Sequence, residues 1–288
     1  MSCASSCAEV TDPPQIRMAL RHTWSTFFAR HGSLTPVQQQ AIPPILAGSN
    51  TLVMAPTASG KTESVVAPLL ERHVLGTAAR QSAGAELRIL YICPTRALVR
   101  DLYERLAPSL EHLGVALSMK SGDTGPVSIR QPPTVLITTP ESTDSLLTRA
   151  PRLFAPLRAI VLDEIHLFDN SPRGDHLRCL LRRIEQIRRY HQRETQADPP
   201  IPLQRIALSA TILDPAGVAG RYLVDTEGAT AGAVIVQAGG GRRIEAEVTP
   251  MHGLDDLVTA LSLRAGDRLG IRKSLVFCNT RNEVEQTA

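Results

Sequence analysis

Residues 55–62 read Ala-Pro-Thr-Ala-Ser-Gly-Lys-Thr, between an apolar run and an amphipathic stretch. A loop of that composition, after a strand and opening a helix, can cradle phosphate oxygens on its backbone amides at the positive end of the helix dipole. Thr57, Ala58, Ser59 and Gly60 form the cradle, Lys61 would meet the β- and γ-phosphates, and Thr62 would offer its hydroxyl to Mg²⁺. Ala55 stands where the strict pattern begins with glycine; the plain alternative is a strand–turn–helix with an exposed lysine. A hundred residues on, Asp163-Glu164-Ile165-His166 follows the apolar run at 159–162. Asp163 at a strand end suits a Mg²⁺ partner opposite Thr62. Glu164 can polarise an attacking water as a general base, and His166 can link that site to neighbouring loops. Alone, the acidic pair would read as a solvated turn.

Such loops need a sheet to carry them. Apolar runs at 51–55, 87–93, 115–119, 134–138, 159–163, 205–209 and 234–237 predict strands, and amphipathic stretches at 36–46, 61–73, 96–113, 141–148, 174–190 and 215–223 predict helices. Strands with hardly a polar break, alternating with helices, indicate an α/β, doubly wound, mainly parallel sheet covered on both faces. Ligands of such sheets bind at the carboxyl ends of the strands. Polar, proline-rich 191–202 reads as a surface loop, and Ala-Gly-Gly-Gly-Arg-Arg at 238–243 as a linker. Beyond it a helix at 254–264 and a strand at 274–278 open a further piece too short to be a second α/β domain.

Composition narrows the class. The chain has 288 residues, a net charge of +3 and 43% hydrophobic residues, which argues for a folded globular protein. Its five cysteines, Cys3, Cys7, Cys93, Cys179 and Cys278, are odd in number and lack a CxxC pair, against a disulfide framework or a zinc site. No apolar run approaches the roughly 18 residues that span a bilayer, and the expected setting is the cytoplasm. Only three of the 31 basic residues are lysines, Lys61, Lys120 and Lys273, which singles each out.

The phosphate loop, the Asp163–His166 tetrad and Ser209-Ala210-Thr211, in that order, resemble a superfamily 2 helicase of the DEAD/DEAH-box type. More motifs fall in line. Leu34-Thr35-Pro36-Val37-Gln38-Gln39 is similar to the glutamine motif, in which Gln38 would read adenine. Pro94-Thr95-Arg96, Gly122-Asp123-Thr124 and Thr139-Pro140-Glu141 resemble the loops that hold nucleic acid, and 274–280 resembles motif IV. The tract 161–184 is most similar to the Lhr-like (large helicase-related) branch. The resemblance implies a RecA-like ATP-binding domain over 34–237 after an N-terminal segment 1–33. A linker at 238–243 and the start of a second RecA-like domain at 244–288 would follow. It implies ATP and Mg²⁺ as cofactors and single-stranded DNA or RNA as partner. Pro94, Thr95, Arg96, Gly122, Thr139, Pro140 and Glu141 would lie on the strand's phosphates, and Ser209 and Thr211 would couple hydrolysis to movement, 3′-to-5′ on DNA in the Lhr-like branch.

Plainer roles stand beside these: helix caps for Thr95 and Thr139, a solvated guanidinium for Arg96, a mere turn at Gly122. Arg178, Arg182, Arg183, Arg188 and Arg189 read as a solvated helix face. Trp24, Phe27 and Phe28 read as packing residues, with adenine stacking by a phenylalanine the lesser option. His22, His31 and His73 read as structural or surface groups. The family's motif V and VI arginines would lie past residue 288, so the expectation is a truncated helicase that alone hydrolyses ATP feebly. Its rivals are a nucleotide- and nucleic-acid-binding module without turnover, an unrelated phosphate-loop kinase, and a helicase module of a CRISPR-associated or repair machine.

Overall fold

The computed structural model describes residues 13–76, 85–122, 124–196, 201–224 and 232–239, with 250, 255–259 and 285. Contacts divide the chain into two compact units, 1–240 and 241–288. In the second, residues 255–259 are helical. The rest of the predicted 254–264 helix, the 274–278 strand, most of the 238–243 linker, Asp123, Lys273 and Cys3, Cys7 and Cys278 lie outside the described residues.

The first unit is built on seven parallel strands: β1 (Thr51–Met54), β2 (Ile89–Ile92), β3 (Leu117–Lys120), β4 (Val135–Thr138), β5 (Ala159–Leu162), β6 (Gln204–Ser209) and β7 (Val234–Gln237). Each falls on a predicted apolar run. Their order is β3-β4-β2-β5-β6-β1-β7. Alternation along the strands divides the core by face. Val53, Tyr91, Ile137, Val161 and Leu208 point to one face, with the helices α1 (Pro13–Ala19), α2 (Trp24–Phe27), α3 (Pro36–Ala47), α4 (Lys61–Leu70) and α5 (Arg96–His112). Leu52, Leu90, Leu136, Ile160 and Ala207 point to the other, with α6 (Pro140–Arg149), α7 (Pro172–Glu194) and α8 (Pro215–Tyr222). Each of these side chains is at most 1% exposed, so each valine, leucine and isoleucine among them contributes about 1.5–3 kcal/mol of burial.

Three expectations need correction. Residues 13–31, where no element was expected, form α1, α2 and a 3-10 turn, and bury Ile16, Leu20, Phe27 and Phe28 in the core. The 191–202 stretch is not all loop, because α7 runs on to Glu194. Arg188 is not on a solvated face. It is 1% exposed and donates to the carbonyls of Leu157 (2.7 Å) and Ile201 (2.8 Å), with Glu185 at 3.5 Å. It thereby pairs the Leu157 carbonyl just before β5 and shares the Ile201 carbonyl with Gln192 Nε2 (2.9 Å).

Candidate functional site

The strand order places β6 between β1 and β5, which brings together the loops after all three. Above them lies a cavity of about 690 Å³, lined among others by Thr35, Gln38, Thr57, Ala58, Ser59, Gly60, Lys61, Thr62, Asp163 and Glu164. The loop after β1 curls because Ala58 (φ 59°) and Gly60 (φ 88°) are left-handed, which turns successive amides inward. Ala55 in place of glycine costs nothing. It is buried, has no positive φ, and donates its N–H to Ser209 O (3.1 Å), continuing the β1–β6 pairing.

Thr35 and Gln38 form a capping box at the start of α3: the Thr35 hydroxyl accepts from Gln38 N (3.4 Å) and Gln38 Oε1 accepts from Thr35 N (2.9 Å). The same two side chains grip the loop, Thr35 Oγ1 donating to Ser59 O (3.0 Å) and Gln38 Nε2 to Gly60 O (3.5 Å). Gln38 is therefore both a cap and a wall of the cavity. Phe27 and Phe28 are at most 3% exposed in the core, which removes them as stacking partners for a base. Arg30 and His31 line the cavity instead, with Arg30 Nε donating to His31 Nε2 (2.9 Å). His31 is exposed, as expected of a surface group, and lies at the cavity's side. His22 accordingly pairs with buried Glu71 (2.6 Å) and His73 with Gln204 (2.8 Å), as structural groups.

Lys61 is 8% exposed, and Nζ donates to the carbonyls of Ala55 (2.7 Å) and Ser209 (3.2 Å). Burial lowers its pKa, and the nearby Glu164 and Asp163 charges oppose that. Asp163 is pushed up to about 6, first by burial and then by the Glu164 charge beside it. A cation would relieve both. Glu164 sits at φ 45°, a conformation that costs a non-glycine residue about 1–3 kcal/mol and clusters at functional sites. Its buried Oε2 accepts no hydrogen bond, and neither does the buried Ser59 hydroxyl. Beside the phosphate loop, a carboxylate oxygen without a hydrogen bond suits a hydrated cation and a hydroxyl without one suits a phosphate oxygen. Among the described residues no three His, Cys, Asp or Glu side chains cluster as a metal site. That fits Mg²⁺, which takes one or two protein ligands and leaves the rest to phosphates and water; Thr62 and Asp163 are the available pair.

His166 does not line the cavity. Its Nδ1 lies 2.9 Å from Ser209 Oγ and 3.3 Å from Glu164 Oε2. Ser209 Oγ spends its hydrogen on Thr211 O (3.2 Å), so His166 Nδ1 must carry the proton it shares with Ser209. Thr211 is exposed and enters through its carbonyl.

A second cleft, of about 480 Å³, opens over the other half of the sheet, where β2, β4 and β3 end. It gathers Pro94, Thr95, Arg96, Gly122, Thr139 and Glu141, residues spread over 48 positions of chain. Pro140 is buried at the first position of α6 and stays out of it. Thr95 and Thr139 are caps, accepting from Leu98 N (3.3 Å) and Ser142 N (3.4 Å), yet they also line the cleft. A side chain at Gly122 would run into the Arg96 guanidinium, whose Cζ would be 2.9 Å from its Cβ. Lys120, Arg149 and Arg173 were not anticipated. Arg173 donates to Pro94 O (2.8 Å) and Glu141 Oε1 (3.0 Å), tying two of the loops together. Its signal in the sequence was faint: one more arginine in a chain rich in them. With Lys120 already singled out by the scarcity of lysine, the lining carries four cations against Glu141 alone. That suits a polyanion.

The DEAD/DEAH box helicase family model matches residues 35–216. The Lhr helicase/probable uracil glycosylase of Mycolicibacterium smegmatis is 35% identical over 230 residues, covering 74% of this chain and 14% of that protein. ATP-dependent helicase Lhr-Core of Methanocaldococcus jannaschii is 28% identical over 289 residues, covering 91% of this chain and 32% of the relative. The chain therefore spans from 14% to 32% of the length of these relatives. The solved structure of the Mycobacterium smegmatis helicase Lhr bound to ssDNA and AMP-PNP superposes with a TM-score of 0.67 at 30% identity, over 92% of this chain and 34% of that one.

Proposed function

The chain belongs to the DEAD/DEAH box helicase family, and we propose that it supplies the ATP-hydrolysing, strand-gripping part of an Lhr-like helicase or translocase. The observation that carries this reading is the pair of clefts on one sheet edge, one built for phosphates and a cation, the other for a polyanion. We assign the RecA-like ATP-binding domain to 34–237, the linker to 238–243 and the start of a second RecA-like domain to 244–288.

In this reading Lys61 leaves its two carbonyls for the β- and γ-phosphates, and the amides of 57–62 hold the remaining oxygens. Gln38 and the neighbouring His31 face the base. Thr62 and Asp163 would hold Mg²⁺, which supplies charge neutralisation across the phosphates. Glu164 Oε2, buried and without a hydrogen bond but with His166 Nδ1 at 3.3 Å, accepts a proton from the attacking water. His166 and Ser209 carry the change toward Thr211. In the second cleft Thr95, Arg96, Gly122 and Thr139 contact phosphates rather than bases, and Glu141 holds Arg173 beside them, so binding is blind to sequence. Likeness to a helicase whose solved structure holds ssDNA favours single-stranded DNA; 3′-to-5′ movement, in the cytoplasm, is part of the same proposal.

The test is ATP turnover by the purified chain with and without single-stranded DNA or RNA, beside Glu164→Gln and Lys61→Ala. Turnover that falls by about 10²–10⁴-fold in Glu164→Gln, with nucleotide still bound, supports the reading. Lys61-dependent binding without turnover supports the narrower one, a binding module. Nucleotide binding indifferent to Lys61 refutes both.

A further inference from the structure

One helix serves both clefts. α5 opens with Arg96 in the second cleft, and nine residues on, about 13 Å along a helix, it delivers Arg105 to the nucleotide cavity with Leu98, Asp101 and Leu102. Arg105 Nη2 donates to Thr62 Oγ1 at 3.0 Å. Its other neighbours are looser: Asp101 at 3.6 Å and Glu63 at 3.9 Å. A guanidinium thus rests on the hydroxyl assigned above to Mg²⁺. No motif singles it out, because it lies in the middle of an ordinary amphipathic helix.

We propose that Arg105 is a positioning residue that holds the Thr62 hydroxyl on the metal's side of the nucleotide site, and that its displacement from Thr62 links nucleotide and metal to the nucleic-acid cleft through α5. The inference rests on the ATP reading of the cavity. A divalent cation and a guanidinium compete for one oxygen, and each repels the other there. With nucleotide but no metal, the guanidinium remains beside the phosphates and offsets part of their charge. With metal, it must leave. Its helix is pinned at the far end by the Thr95 cap and by Arg96 against Gly122. A shift at Arg105 is therefore felt where the strand binds, and reciprocity requires the strand to be felt at the metal.

The experiment uses the full chain and a fluorescent N-methylanthraniloyl ATP, titrated in EDTA and in Mg²⁺, with and without oligothymidylate. The unsubstituted protein, Arg105→Gln, Arg105→Lys and Lys61→Ala are compared. Arg105 is half-exposed, so the glutamine variant keeps the fold. The affinity gained on adding Mg²⁺ should be at least about fivefold larger in Arg105→Gln than in the unsubstituted protein, with Arg105→Lys between them. The effect of oligothymidylate on nucleotide affinity should shrink toward none in Arg105→Gln. Equal metal gains in the two proteins overturn the proposal, and so does an oligothymidylate effect that survives intact. If Lys61→Ala still abolishes binding in that case, the nucleotide reading stands and only the role of Arg105 falls. Nucleotide binding that ignores Lys61 brings down both.

Discussion

Gly60 is where the phosphate loop, the left-handed backbone and Gln38 meet, and Gly60→Ala tests all three. The backbone there has φ +88°, and a Cβ would run into Gln38 Nε2 with Cδ at 3.2 Å. The left-handed conformation costs an alanine about 1–2 kcal/mol. Gln38 must then swing away, giving up the bond its Oε1 accepts from Thr35 N (2.9 Å). That loses about 1 kcal/mol, and an off-rotamer side chain adds up to about 1. Gly60→Ala should therefore destabilise by about 2–4 kcal/mol, summing those contributions. In a Gln38→Ala background the clash disappears while the backbone strain stays. The double variant should thus be more stable than the sum of the singles by about 1–2 kcal/mol, a coupling typical of residues in contact. Denaturant midpoints with unchanged slopes measure all four corners of the cycle. Costs that add to within about 0.5 kcal/mol would mean that Gln38 does not lie over Gly60, and the adenine-side wall drawn here would be wrong.

His73 is held neutral, its pKa lowered to about 4 chiefly by burial against the Gln204 bond. The unfolded chain takes its proton near pH 6.5 and the folded chain only near 4, so stability is lost as pH falls through that window and is unaffected above it. The loss should be about 2 kcal/mol at pH 5 and absent at pH 7, and the difference between the native protein and His73→Gln across that range reads it; parallel profiles would refute it. Arg173→Ala should weaken single-strand binding alike on oligothymidylate and mixed sequence. It should also reduce the salt slope by about 0.7; anisotropy titrations in graded KCl check this, and a loss confined to one sequence would contradict a phosphate contact.

The inner strands were legible because they are buried on both faces, so their sequences run apolar with hardly a break, as at 89–92 and 159–162; the edge strands β3 and β7 are less covered. The order in which the strands pair was not legible, because pairing is a contact between distant residues with no local signature. Motif residues were legible where chemistry demands one residue type, as with Lys61. The misses share a different cause. Arg188 looks like its neighbours on α7, and only the packing of that helix over Leu157 and Ile201 tells a buried guanidinium from a solvated one. Phe27 and Phe28 pack in the core as expected, but nothing in the sequence marks Arg30 and His31 as the residues that line the cavity. Residues 13–31 escaped notice because short helices of 7 and 4 residues show too few turns for a period.

The contacts of Lys61 and Ser209 also suggest how binding is sensed on the β6 side. Lys61 rests on the carbonyls of Ala55 and Ser209, half-compensated by Asp163 and Glu164, at a cost set by its burial. Phosphates are stronger acceptors for that ammonium than carbonyls are, so they draw Nζ away and leave Ser209 O to its β1 partner, Ala55 N. The Ser209 hydroxyl meanwhile stays between His166 Nδ1 and Thr211 O. On the proposed ATP reading, loss of the γ-phosphate would return Nζ to Ser209 O and leave the contacts of the Ser209 hydroxyl in place. A serine that faces the lysine with its backbone and the histidine with its side chain can therefore register the phosphate and the water-activating carboxylate separately. Replacing Ser209 by alanine removes the second contact alone, which makes hydrolysis without coupled movement the expected phenotype, seen as ATP turnover retained while strand displacement by a two-domain form is lost. Parallel loss of both activities would instead place Ser209 in the chemistry itself.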